Sequence, residues 1–94
     1  MYTDKMTRAN VYEAIETERE YQIRCTFDKA RPDMTEDFPL SAVLTAIRVN
    51  LARAENAWYT TAFPNQESME FIRKIAALCV KAGEVCGMPS RGTP

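Results

Sequence analysis

The stretch that decides the fold runs from Leu40 to Trp58 and reads LSAVLTAIRVNLARAENAW. Its apolar side chains recur at intervals of three and four residues, which is the spacing of one face of an α-helix. They are Leu40, Val43, Leu44, Ile47, Leu51, Ala54 and Trp58. A second, shallower apolar stripe is formed by Ala42, Ala46, Val49 and Ala57. A helix with two apolar faces packs between two neighbours, and we predict that one neighbour is another copy of this chain.

Two further helical segments flank this stretch, and no segment reads as a strand. We predict helices at about residues 8–25, 40–59 and 66–86, within one domain that covers residues 1–94. Asn10 and Thr7 are alternative caps for the first helix, and Asn65 is the expected cap of the third. Gly87 is a stop signal for the third helix. The fold class is therefore all-α: a small three-helix, hairpin-type domain that forms a homo-oligomer.

The first predicted helix is charged on every side between Glu16 and Gln22, apart from Tyr21. Such a helix is expected to pack by one end and to display polar chemistry at the other. The segment from Thr26 to Phe38 follows it and is long for a connection between helices, which usually has about 2–8 residues. Long loops in small domains often carry function, so this loop is a candidate binding element.

Composition limits the possible partners. The chain has 94 residues and a formal net charge of −1, so no overall positive field favours DNA or an anionic membrane. No apolar run approaches the roughly 20 residues of a membrane span. The segment Met1–Asn10 is mixed in charge and does not resemble a signal peptide. We therefore expect a cytoplasmic protein that does not bind DNA or membranes.

Cysteine and histidine content limits the chemistry further. The three cysteines, Cys25, Cys79 and Cys86, are odd in number and are expected to be apolar fillers without disulfides. The chain has no His, which is the commonest general base and metal ligand. A zinc site and a Ser-His-Asp triad are thereby excluded. We expect no catalytic residues, no metal and no cofactor.

Residues suited to binding phosphate and stacking on a base are concentrated in the first helix and the loop after it. Arg and Lys neutralise phosphate, and flat aromatic rings stack on bases. The residues of these types are Tyr12, Arg19, Tyr21, Arg24, Phe27, Lys29 and Arg31. The alternative is that Tyr12 packs in the core and that the basic residues are solvated. Trp58 and Tyr59, at the end of the second helix, suit a core or an interface as well as a ligand contact.

Carboxylates offer an enzymatic alternative. Glu13 and Glu16 form a Glu-x-x-Glu pair, as in the all-helical MazG-type nucleotide pyrophosphohydrolases that bind Mg²⁺. The second helix adds only Glu55 and the third adds Glu84. A magnesium site needs several oxygen ligands that converge, so a solvated charged face is the competing interpretation.

Several short motifs resemble those of a family of small phage-encoded helical proteins. Residues 11–22, VYEAIETEREYQ, resemble the family's I-x-x-E-R-x-Y-Q opening. Residues 73–76, RKIA, and residues 84–91, EVCGMPSR, resemble its R-K-I-A and E-x-x-G-x-P-x-R ending. The size and the three-helix plan are also similar to viral sponge proteins that defeat CBASS immunity. The resemblance spans roughly residues 11–91.

This resemblance implies a compact helical oligomer that sequesters cyclic oligonucleotide signals without cleaving them. In the sponge family an aromatic residue near the start of the first helix and a lysine downstream contact the nucleotide between protomers. Tyr12 and Lys29 occupy the matching positions here. The family's usual His, in E-x-H-G-x-P, is replaced by Cys86, which removes any role that depends on this His.

The sequence thus leads to the hypothesis of a viral anti-defence sponge in the host bacterial cytoplasm. Its expected partners are a cyclic di- or trinucleotide and further copies of itself. Two alternatives remain: a MazG-like, Mg²⁺-dependent pyrophosphohydrolase, and a small phage protein that binds a host protein. The predicted ligand-binding residues are Tyr12, Arg19, Arg24, Lys29, Tyr59 and Arg91.

Overall fold

The structure is a computed structural model that describes residues 5–29 and 39–92, with the backbone alone for 26–29. It contains three helices: α1 (Arg8–Lys29), α2 (Leu40–Thr60) and α3 (Pro64–Cys86). No strand occurs in the described ranges. The prediction of an all-α chain with three helices is confirmed, and the homo-oligomer stays a prediction. None of the described helices is long and apolar enough to cross a membrane.

The helix α1 begins at Arg8, as expected, but ends later than expected. Thr7 caps the helix, because its Oγ1 accepts a hydrogen bond from the Asn10 N–H at 3.2 Å. The helix continues to Lys29, four residues beyond the expected end at Cys25. Lys29 therefore lies on α1 and not in a loop. Residues 30–38, the rest of the predicted loop, lie outside the described residues.

The helix α3 begins two residues earlier than expected. Pro64 occupies its first turn, where a missing N–H costs no hydrogen bond, and Asn65 is inside the helix. The prediction of Asn65 as the cap is therefore wrong. At the other end, Gly87 has φ +79° and donates its N–H to the Gly83 carbonyl at 2.9 Å. A positive φ favours glycine, so the stop signal acts as expected.

Within one chain, α3 is the helix that packs against both of the others. It forms a hairpin with α2 through the short connection at residues 61–63. The buried side chains of α2 are Val43, Ala54 and Ala57, and the Ser68 hydroxyl on α3 donates to the Ala54 carbonyl at 2.8 Å. The Leu40–Trp58 stretch thus uses one side against α3. Its second neighbour stays a prediction.

The helix α1 crosses α3, and its ion pairs are spread along α3. Glu18 and Arg19 are adjacent on α1, yet their ion-pair partners on α3, Arg73 and Glu84, are eleven residues apart. Eleven residues of helix span about 16 Å, so the two flanks of α1 point toward opposite ends of α3. Ala77 lies between these partners on the same side of α3 and is 0% exposed. Its small side chain allows the two helices to approach closely.

The resulting shape is flat and leaves much apolar surface uncovered. The radius of gyration is 14.6 Å, and the principal extents are 40 × 38 × 21 Å. A compact domain of this length has a radius of gyration of about 12 Å.

Among the cysteines, Cys25 is buried, Cys79 is half-buried and Cys86 is exposed, and all three are free. The expectation of an apolar filler is thus wrong for Cys86.

Candidate functional site

Charged side chains fill the contact between α1 and α3, where a small domain usually has apolar ones. Glu18 is 6% exposed, Arg19 8%, Gln22 7% and Lys81 2%. Charged groups are rarely buried so deeply unless they are paired, because removal from water costs several kcal/mol. The expectation that the charged centre of α1 displays its polar groups to solvent is therefore wrong for Glu18, Arg19 and Gln22, whereas Glu16 and Glu20 are exposed. We call these residues and their ion-pair partners the α1–α3 ionic cluster.

The first part of the ionic cluster is a bidentate ion pair between Arg19 and Glu84. The Arg19 Nε donates to Glu84 Oε2 at 3.1 Å, and its Nη2 donates to Oε1 at 2.6 Å. This fork geometry is among the stronger ion pairs in proteins. The hydrogen bond from Arg19 lowers the pKa of Glu84, partial burial opposes this effect, and the charges of Arg19 and Lys81 lower the pKa further.

The second part is centred on the buried carboxylate of Glu18. Arg73 donates from Nε to Glu18 Oε1 at 2.8 Å and from Nη2 to Glu70 Oε2 at 2.6 Å. The Lys74 ammonium lies 3.7 Å from Glu18 Oε2. Burial lowers the pKa of Arg73, but the hydrogen bonds and the negative charges of Glu18 and Glu70 together outweigh burial, so the pKa is raised. The buried Glu18 carboxylate thus has two cations beside it, Arg73 and Lys74.

The six predicted ligand-binding residues are distributed over the whole chain. Tyr12 and Arg24 are exposed on α1, and Lys29 is its last residue, with a side chain outside the described part. Arg19 is buried in the ionic cluster with two of its nitrogens bonded to Glu84.

Tyr59 and Arg91 lie at opposite ends of α3, and both are exposed. Tyr59 is five residues before Pro64, the first residue of α3, and Arg91 is five residues after Cys86, the last one. The helix between them is 23 residues long and spans about 34 Å. Tyr59 and Arg91 of one chain therefore do not share a pocket.

An open groove of about 630 Å³ lies between α2 and the start of α3. Its lining is mostly apolar, with Val49 and Phe71 on its walls and the opposite charges of Arg53 and Glu67 among its polar groups. None of the predicted ligand-binding residues lines it. The sequence pattern places Val49 in an apolar stripe of one helix, whereas the groove beside it also needs side chains of α3.

The carboxylates of the enzymatic alternative lie on three different helices. Glu13 and Glu16 are exposed on α1, and Glu55 is exposed on α2. Glu84, on α3, is already bonded to Arg19 through both oxygens. Within residues 5–29 and 39–92, no three His, Cys, Asp or Glu side chains are grouped so that they could hold a metal ion. This arrangement gives the pyrophosphohydrolase alternative no support within one chain.

The Arg19–Glu84 pair predicts a pH dependence of stability. A carboxylate whose pKa is lowered on folding contributes stability above its unfolded value of about 4.5, and this contribution disappears as the pH falls through the folded value. The melting temperature should therefore fall as the pH falls below about 4.5. In Glu84→Gln this decrease should be smaller, whereas Glu67→Gln, at an exposed position of the same helix, should follow the wild type. Equal slopes for wild type and Glu84→Gln would contradict the assignment.

Comparison with known proteins adds no relative. No protein-family model matches the chain. The searches of curated proteins and of solved structures gave no match either. A functional proposal must therefore be based on the geometry of the described residues and on the short motifs quoted above.

Proposed function

We propose that this protein binds cyclic di- or trinucleotides and sequesters them without cleavage, as do the viral sponge proteins that its size and three-helix plan resemble. The observation that carries the proposal is the exposure of Tyr12, which is 64% accessible near the start of α1. The alternative in which Tyr12 packs in the core of the chain is wrong. An aromatic ring left open to solvent can stack on a base, an interaction worth about 1–3 kcal/mol per base.

Exposed arginines supply the charge that phosphates require. Arg24 on α1 and Arg91 after α3 are exposed, and neither forms an ion pair within the described residues. A guanidinium group that is not already paired can bind a phosphate through two hydrogen bonds. Arg24 and Arg91 are thus suited to phosphate contacts.

Arg19 has a different role in this proposal from the direct contact predicted from the sequence. Its guanidinium is held by Glu84, so it fixes α1 against α3. Tyr12 lies seven residues before Arg19, two helical turns along nearly the same side of α1. We therefore assign Arg19 to positioning Tyr12.

The affinity that sequestration requires favours a site between subunits. A nanomolar dissociation constant corresponds to about 12 kcal/mol, which is more than one stacked ring and a few exposed ion pairs supply. Lys29, Tyr59 and Arg91 lie on separate parts of the chain, so a site that uses all of them needs residues from more than one copy. The flat shape and the exposed apolar side chains support such an assembly.

A thermal-shift screen with cyclic dinucleotides, cyclic trinucleotides and linear nucleotides tests the proposal. We expect a cyclic nucleotide to raise the melting temperature and to be recovered intact after denaturation, without added Mg²⁺. Tyr12→Ala should weaken binding by about 5- to 150-fold through lost stacking, and Tyr12→Phe should retain it. Lys29→Ala should weaken binding, whereas Lys5→Ala should not.

Each other outcome points to a different function. Hydrolysis products that require Mg²⁺ and disappear in Glu16→Gln would support the pyrophosphohydrolase. No shift with any nucleotide would rule out the sponge and leave a protein-binding role. Equal binding by wild type and Tyr12→Ala would show that the site lies elsewhere.

A further inference from the structure

A row of large apolar side chains on α2 stays about half exposed in the described part of the chain. The row consists of Leu40, Leu44, Leu51 and Trp58, which are 46%, 58%, 47% and 51% exposed. From Leu44 onward the spacing is seven residues, so these side chains follow one line along the helix. They lie about 60–100° around the axis from the side that packs on α3. The α2–α3 contact therefore leaves this row, here called the α2 seam, uncovered.

Two opposite charges flank the α2 seam at the same spacing. Arg48 and Glu55 are exposed, and both lie on the side of the seam that is away from α3. Neither makes an ion pair within residues 5–29 and 39–92. The midpoint between Arg48 and Glu55 nearly coincides with Leu51, which is also the midpoint between Leu44 and Trp58. The apolar row and the charges thus share one centre of symmetry.

We propose that the α2 seam joins two copies of this chain in an antiparallel pair, with a two-fold axis beside Leu51. In this arrangement Leu51 faces Leu51 of the partner subunit, and Leu44 faces Trp58 of the partner subunit. The same flanks of the two helices meet, so Arg48 faces Glu55 of the partner subunit and the pair occurs twice. In a parallel pair each charged flank would instead face the other flank, and this complementarity would be lost.

The inference does not rest on nucleotide binding, and its tests contain no nucleotide. Failure of the seam and failure of the proposed function can therefore be distinguished. If the α2 seam forms and the protein also binds cyclic nucleotides, the contact between the two α2 helices is one of the subunit contacts that a binding site between copies requires. The seam explains why this helix, unlike α1, has an apolar row with a regular repeat outside the contact with α3.

Charge reversal tests the orientation. In Arg48→Glu or Glu55→Arg, like charges face each other at two places, so the dimer dissociation constant measured by sedimentation should rise by roughly tenfold or more. The double variant Arg48→Glu/Glu55→Arg restores both pairs and should return within about threefold of the wild type. Arg53→Glu, on the other side of α2, is the control and should change little. Wild type that stays monomeric, or single variants that dimerise normally, would overturn the proposal.

Cysteine cross-linking tests the register. In a Cys86→Ser background, Leu51→Cys should form a disulfide-linked dimer on mild oxidation, because the two copies of position 51 lie beside the axis. Leu44→Cys should not, since its two copies are separated by about 21 Å along the helices. Equal cross-linking at both positions would indicate a parallel pair and would contradict the antiparallel seam.

Discussion

Replacing Arg73 by Met should lower the free energy of unfolding by about 2–4 kcal/mol, because it removes the closest cation from a buried carboxylate. Glu18 is 6% exposed and would retain only Lys74, whose ammonium is 3.7 Å away. A buried charge without a close partner is destabilising, because little nearby opposite charge offsets its desolvation free energy. Urea denaturation followed by circular dichroism, at one low protein concentration, measures the change. A loss within the fitting error would contradict the importance of this pair.

A second substitution shows whether the loss arises from the charge or from packing. In Glu18→Leu/Arg73→Met the carboxylate and its main partner are both replaced by apolar side chains of similar size. Glu70 loses its bond to Arg73 but is about half exposed and remains solvated. We expect the double variant to recover to within about 1 kcal/mol of the wild type, as is common when a buried ion pair is replaced by apolar groups. Arg53→Met, at an exposed position of α2, is the control and should change little.

Local spacing was enough to predict the helices but not their packing. The side of α1 that faces α3 contains Ile15, Glu18, Gln22 and Cys25, at the intervals of three and four that mark a packed face. Because two of these four are polar, hydrophobic spacing alone does not identify this side as a buried face. Their neutralising partners are 55 and 65 residues away in sequence, and a local pattern cannot indicate such pairs. This is why the burial of Glu18 and Arg19 required the structure.

In the candidate site, too, local sequence patterns indicate some features, whereas others depend on contacts between helices. The sequence allowed Tyr12 either to pack in the core or to bind a ligand; its exposure excludes the core, and ligand binding stays a prediction. The role of Arg19 depends on Glu84, which lies 65 residues away in sequence on another helix. The groove beside Val49 depends on how α2 and α3 pack, since Phe71 and Glu67 come from the other helix. The role of Arg19 and the groove each depend on residues of two helices, which local spacing cannot bring together.

Ala77→Leu should cost about 3 kcal/mol, at the upper end of the range for overpacking. Ala77 is 0% exposed and lies where α1 crosses α3, between Arg73 and Glu84 on the same side of the helix. The added side chain cannot fit without moving a helix, because protein interiors are close-packed. Moving α1 away from α3 would also separate Arg19 from Glu84, so packing and ion pairing are lost together.

Amide hydrogen exchange in each helix distinguishes separation of α1 from α3 from destabilisation of the whole domain. In Ala77→Leu, amide hydrogen exchange should accelerate most in α1, while the α2–α3 hairpin keeps more of its protection, since α1 is joined to α3 mainly through the crossing. Ala52→Leu makes the same change at an exposed position of α2 and should leave both stability and exchange nearly unchanged. If α1 and α2 lost protection equally, the three helices would unfold as one unit, and α1 would not unfold separately from the α2–α3 hairpin.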